Sequence, residues 1–212
     1  MDLYLLRHGE TDWNREGLLQ GHTDIPLNEN GRQQMRETAQ KLKDLHVKMD
    51  VILSSPLHRA RESARIAAER LGYPVNDIVV EPMLIERGFG AGEGMTFAER
   101  KKRFPEHDYP GMESQTDLVR RAGEAFRKII NTCSGAEHVL LVAHGAVLFA
   151  LLSAVSAERI VDADQAAALT QGSIYRIRYT EDRIGFAKYD EESAAFLDAD
   201  RELIARSVKI YL

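Results

Sequence analysis

Apolar positions along the chain change period several times, and each change marks an element. Leu3 to Leu6 is a short continuous apolar run, fit for a buried strand. From Asn28 to about His46 the period is helical, with Met35, Ala39, Leu42 and Leu45 recurring at steps of three and four. Val51 to Leu53 is a second strand. A helix through "LHRARESARIAAERL" follows and stops at Gly72, with Ser54 or Ser55 as its cap and Pro56 in its first turn. Ile78 to Val80 is a third short strand. The stretch from Ile85 to about Gln115 has no period, apart from one short helix. A helix from about Thr116 to Cys133, a fourth buried strand at His138–Ala143 and a helix at Ala146–Val155 come next. "SIYRIRYT" and "RIGFAKYD" alternate around "EDR" and read as an antiparallel hairpin, and the last 20 residues read as a terminal helix.

Strands alternating with helices predict an α/β fold: a three-layer sandwich with a mainly parallel sheet flanked by helices and an antiparallel edge hairpin near the C-terminus. The length fits a single domain over 1–212, with a helical and loop cap inserted at about 86–115. In such sheets, ligands sit outside the carboxyl ends of the strands. Arg7 and His8 follow the first strand to that rim, Ser54 and Ser55 follow the second, and His144 follows the fourth.

Composition narrows the function. A net charge of −5 argues against sequence-independent nucleic-acid binding. The run "ERKKRF" is the one basic cluster and reads as a solvated helix face. A single cysteine, Cys133, excludes an intrachain disulfide and suits a reducing compartment. "MDLYLL" is too short and too acidic for a signal peptide, and no run approaches the roughly 18 apolar residues of a membrane span. A cytoplasmic location without membrane partners is expected. The hairpin edge offers a surface for a homodimer.

Arg7, His8, Arg59, Glu86 and His144 form a constellation with one chemistry. A neutral imidazole is a competent nucleophile toward phosphorus. Phosphoryl transfer needs positive charge on the equatorial oxygens, and arginine forks match that geometry. A protonated His144 adds a third donor, and Gly9 and Gly145 allow close backbone approach. The start of Arg59's helix points its positive end at the same space. A carboxyl group must protonate the departing oxygen. Glu86 is the leading candidate, with Glu10 and Glu93 as rivals and Glu10 alternatively orienting Arg7 through a salt bridge. No histidine spacing indicates zinc.

"LLRHGETDWN" resembles the signature of the histidine phosphatase superfamily, also called the phosphoglycerate mutase-like family. "GLLQGHTDIPLNENGRQQ", "SSPLHRARESA", "LIERGFGAGEGM" and "LLVAHG" resemble its further blocks in order, over about residues 1–190, and Arg121 and "QGSI" are weaker matches. The resemblance implies a metal-independent, cofactor-free phosphatase acting on a small phosphorylated metabolite. His8 would become phosphohistidine, and Arg7, Arg59 and His144 would hold the phosphoryl group. Glu86 would be the proton donor and then the base. Asn14, Gln20, Gly21, Thr23 and Gly145 would lie near phosphate or substrate. A phosphoglycerate mutase is the alternative. Phe89 and Phe97 stand where mutases of the family carry a tyrosine and a lysine, and Ala146 and Val147 follow "HG" where mutases carry asparagine, which favours hydrolysis. A phosphate-binding module without catalysis and a metallohydrolase are the competing classes. Phe104, Tyr109 and Met112 read as an amphipathic wall of the leaving-group side, with acidic neighbours that disfavour highly anionic substrates.

Overall fold

The computed structural model describes residues 1–155, 169, 171–180 and 184–198. Seven strands form one sheet in the order β3-β2-β4-β1-β5-β6-β7. They are β1 (Asp2–Arg7), β2 (Val51–Ser54), β3 (Val79–Val80), β4 (His138–Ala143), β5 (Ile174–Tyr179), β6 (Ile184–Asp190) and β7 (Ala195–Asp198). The first four run parallel, and β5, β6 and β7 continue antiparallel from the β1 side. The helices are α1 (Asp12–Arg15), α2 (Glu29–Asp44), α3 (His58–Leu71), α4 (Phe97–Arg103), α5 (Gln115–Thr132) and α6 (Gly145–Val155). The α/β sandwich and its antiparallel hairpin are as the periodicity predicts.

The two-residue period of β1 splits the core. Leu3 and Leu5 join Leu53, Leu141, α5 and α6 on one face, while Tyr4 and Leu6 join Ile52, Leu140, α2 and α3 on the other. α5 presents one apolar stripe, Leu118, Ala122, Ala125, Phe126 and Ile129. α6 is buried from Gly145 through Ser153, which explains why its sequence has no polar face. Burial of these side chains stabilises by about 25 cal/mol per Å2 of apolar surface, so both helix layers are held chiefly by hydrophobic contact with the sheet.

Two expectations need correction. Residues 195–198 are a strand paired to β6, not part of a terminal helix, and the rest of that predicted helix lies outside the described residues. The hairpin is therefore covered by β7 and is not the sheet edge. The predicted serine cap of α3 is also absent. The N-cap is Leu57, which makes no side-chain capping bond, and the His58 N–H donates instead to the Asp24 carboxylate at 2.8 and 3.0 Å. The first amide of α3 is thus already spent on Asp24, a partner too distant in sequence for any local capping pattern to reveal.

Candidate active site

Strand register builds the site. Arg7 of β1 lies opposite Ala143 of β4, and the His8 N–H donates to the Ala143 carbonyl at 3.0 Å. The next residues, His8 and His144, therefore leave adjacent parallel strands side by side. Their ring centroids are 5.0 Å apart at an interplanar angle of 60°. β2 flanks β4 on its other side, which puts Ser55 Oγ 2.7 Å from His144 Nε2.

His8 is 3% exposed. Its Nδ1 lies 2.7 Å from the Gly9 carbonyl, which can only accept, so Nδ1 carries the proton and Nε2 keeps its lone pair. His144 is fully buried behind His8, with Nδ1 lacking a partner. Burial, then the charge of Arg59, pushes both imidazoles well below their ordinary range, with Arg7 adding to the effect. Both rings are neutral. This suits His8 as a nucleophile and corrects the expectation of a protonated His144 donor.

Arg59, in the first turn of α3, is 1% exposed, and its Nη1 and Nη2 donate to the Thr23 and Gly21 carbonyls at 2.9 and 2.7 Å. Asp24 approaches it only to 3.8 Å. Arg7 Nη1 donates to the Leu169 carbonyl at 2.8 Å. The Nε atoms of both arginines are buried without a partner. Burial lowers the proton affinity of both guanidiniums, and Glu86 partly offsets this. A buried Arg59 and a half-buried Arg7, each with an orphaned Nε, beside two neutral rings form a site suited to an oxyanion.

Glu86 is 9% exposed. Its Oε1 accepts from the Arg87 and Val147 N–H groups at 2.8 and 3.1 Å, and its Oε2 accepts from Ala146 N–H at 3.3 Å. Two of those donors belong to the first turn of α6, so that helix start holds the candidate acid. Arg121 clamps the segment leading to it, with Nη1 donating to the Met83 and Ile85 carbonyls at 2.7 and 2.8 Å while its fork pairs with Glu113. His22 Nε2 donates to the Glu86 carbonyl at 2.8 Å. The rival carboxylates are committed elsewhere. Glu93 accepts from His22 N, Phe89 N and Thr23, and its carboxyl is lowered against the raising effect of burial by the Thr23, His22 and Phe89 hydrogen bonds. Glu10 accepts from Asn28 at 2.8 Å, so the expected salt bridge to Arg7 is absent.

A cleft of about 710 Å3 opens over this group. Arg7, His8, Arg59, Glu86, Asn14, Gln20, Gly21 and Gly145 all line it. Thr23 does not. Its hydroxyl donates to Glu93 at 2.6 Å and its carbonyl holds Arg59, so it supports the site from behind. Asn14 Oδ1 closes a capping box with Thr11, where α1 starts. Gly9 does not face a ligand either. A Cβ there would lie 2.9 Å from the Gly31 Cα, so this glycine allows α2 to pack backbone to backbone on the loop after β1. Leu18, Leu19, Gln34, Ala146 and Gln171 also line it, and the segment after Glu86 supplies the rest: the expected Phe89, Phe97, Tyr109 and Met112, together with Arg87, Arg100 and His107, which sequence periodicity does not mark. Four arginines face one carboxylate, which reverses the expectation of an acidic wall, and Phe104 is not among the lining residues. Among the described residues, no group of three His, Cys, Asp or Glu is arranged to hold a metal, and no helix is long and apolar enough to cross a membrane.

Comparison with known proteins places this geometry. A family model described as "Histidine phosphatase superfamily (branch 1)" matches residues 3–192. The chain is 45% identical over 152 residues to "Uncharacterized phosphatase PhoE" of Bacillus subtilis, covering 72% of this chain and 76% of that one. It is 32% identical over 162 residues to a 2,3-bisphosphoglycerate-dependent phosphoglycerate mutase of Parvibaculum lavamentivorans, covering 71% and 77%. Among solved structures, a mycobacterial glucosyl-3-phosphoglycerate phosphatase complexed with VO3 superposes with a TM-score of 0.74 at 27% identity, covering 88% of this chain and 96% of that chain.

Proposed function

The chain belongs to the histidine phosphatase superfamily, and on that premise we propose that it is a metal-independent phosphatase that hydrolyses small phosphomonoesters through a phosphohistidine at His8. The observation that carries this reading is the neutral His8, fixed by the Gly9 carbonyl with Nε2 unprotonated, beside the guanidiniums of Arg7 and Arg59, whose Nε donors are unpartnered.

In the first step the His8 Nε2 lone pair attacks phosphorus and the P–O ester bond breaks. The departing oxygen takes a proton from the Glu86 carboxyl. Arg7 and Arg59 stabilise the charge on the equatorial oxygens, the work a metal ion does elsewhere. His144, buried against His8 with one nitrogen unpartnered, has a donor position for a phosphoryl oxygen. In the second step water attacks the phosphohistidine and returns its proton to Glu86. The free imidazole and inorganic phosphate result, and the protons balance over the cycle. Asn14, Gln20, Gly21 and Gly145 bound the phosphoryl end of the cleft, and residues 86–115 act as the cap over the leaving group.

Hydrolysis is favoured over phosphoryl exchange because Phe89 and Phe97, both on the cleft wall, stand where mutases of the family carry polar residues. The experiment is a panel of phosphomonoesters assayed for phosphate release with and without chelator, beside 3-phosphoglycerate assayed for isomer exchange. Release that persists in chelator supports the reading. Exchange without release points to a mutase, and activity restored only by added metal points to a metallohydrolase.

A further inference from the structure

His144 is the one buried ring of the site whose tautomer no backbone group sets. The Gly9 carbonyl fixes His8, whereas His144 Nε2 meets the Ser55 hydroxyl, which can donate or accept. Resting on the phosphatase reading above, we propose that Ser55 is a positioning residue for phosphoryl transfer. Its hydroxyl donates to His144 Nε2, holds that ring as the neutral Nδ1–H tautomer, and so keeps the ring's one proton for a phosphoryl oxygen.

Proton accounting at Ser55 selects the tautomer. Ser55 and His144 are both fully buried. The serine is pinned by its backbone. Its N–H donates to the Val142 carbonyl of β4 at 2.9 Å, and its carbonyl accepts from the Ser54 hydroxyl at 3.0 Å. Because Ser54 lies opposite Val142, Ser55 and His144 leave the ends of β2 and β4 as neighbours. Among the described residues the Ser55 Oγ has two polar partners, the Leu57 N–H at 3.4 Å and His144 Nε2 at 2.7 Å. The Leu57 N–H can only donate. If Nε2 also carried a proton, the hydroxyl would accept twice and its own proton would be stranded in a dry interior, at the cost of an unmade buried hydrogen bond. With the hydroxyl donating to a bare Nε2, both groups are satisfied. The ring proton then sits on Nδ1, the buried nitrogen that has no partner.

The same contact keeps the ring neutral. A second proton on His144 would have to enter at Nε2, where the serine proton already lies and has no other acceptor among the described residues. The hydroxyl therefore opposes the imidazolium, in the same direction as burial and the charge of Arg59. A neutral Nδ1–H form offers a phosphoryl group on His8 one directed donor without placing a full cation on a ring 5.0 Å from the nucleophile. Ser55 does not line the cleft, so it acts through His144 and not on substrate.

The test is nitrogen-15 NMR of histidine-labelled enzyme without substrate at neutral pH, in which couplings to the carbon-bound ring protons tell a protonated nitrogen from a bare one. Loss of signals in His144→Gln assigns the ring. Wild type should show Nδ1 protonated and Nε2 bare. A proton on Nε2, alone or together with one on Nδ1, overturns the proposal whatever the variants do. Ser55→Ala should lose the single Nδ1–H form, and its retention would show that the serine does not set it. The functional arm is a double-mutant cycle on kcat/KM for phenyl phosphate. Ser55→Ala should lower this by about tenfold or more in the wild-type background, and by less than about twofold beside His144→Gln, because its effect passes through that ring. Equal falls in both backgrounds would show a structural contribution only and overturn the positioning role. The two readings fail separately. An Nδ1–H ring with no phosphate released from any ester sinks the phosphatase and keeps the serine's hold on the tautomer. Phosphate release with the proton on Nε2 does the reverse.

Discussion

Neutral histidines in a cationic pocket make stability depend on pH in a window where few other groups titrate. In the folded chain His8 and His144 are held neutral by burial and by Arg59 and Arg7. In the unfolded chain each titrates near its ordinary value of about 6.5. The unfolded state therefore binds more protons below that value, and stability is present above pH 6.5 and lost as pH falls through it. Between pH 7.5 and 5.5, each ring loses about 1.4 kcal/mol of stability, or about 2.7 kcal/mol for the pair, provided both stay neutral in the folded state. Against a typical total of about 5–15 kcal/mol this is a large fraction. Carboxylates whose proton affinity is lowered in the fold, Asp2, Asp50 and Glu93 among them, lose their contribution only as pH falls below about 4.5 and stay out of this window. The assay is urea denaturation at pH 7.5 and 5.5 for wild type, His8→Gln and His144→Gln. Each variant should show a pH difference smaller than wild type by about 1.4 kcal/mol, whatever its absolute stability. Equal pH differences in all three proteins would refute the neutral-ring account, and a protein more stable at pH 5.5 would reverse its sign.

Ser55→Ala leaves the buried His144 ring without its Oγ contact and should destabilise by about 1–3 kcal/mol, with a lowered kcat, as read by denaturant midpoint and steady-state assay. Gly9→Ala drives a methyl group into the Gly31 backbone and should cost about 3 kcal/mol or more, seen as a falling melting temperature or loss of soluble protein. Arg121→Met frees the segment that positions Glu86 and should lower kcat by about tenfold or more, because misplaced catalytic groups lose rate steeply, while the sheet and its circular dichroism remain.

The layers were legible in sequence because apolar period alone sets them. β1 and β4 are continuous apolar runs, and α6 is apolar all round. Arg7, His8 and His144 could be placed at one rim because Arg7 ends β1 and the two histidines directly follow β1 and β4. What periodicity does not encode is long-range pairing of polar groups. Asp24 replaces the serine cap of α3, Glu93 takes the Thr23 hydroxyl, and Gly9 serves Gly31 instead of a ligand. Arg100 illustrates the same gap on the cleft. In "ERKKRF" it is one of four adjacent cations, and only the orientation of α4 separates it from Lys101. β7 was missed because a four-residue strand has too few positions to show alternation, and its pairing with β6 decides it.

The most direct measurement is rapid quenching of the enzyme during turnover, followed by mass spectrometry of the peptide that contains His8. The account predicts one acid-labile phosphoryl group per chain on that ring, formed as fast as the alcohol is released, and none in His8→Ala. A phosphoryl group on any other residue, or full turnover by His8→Ala, would contradict it.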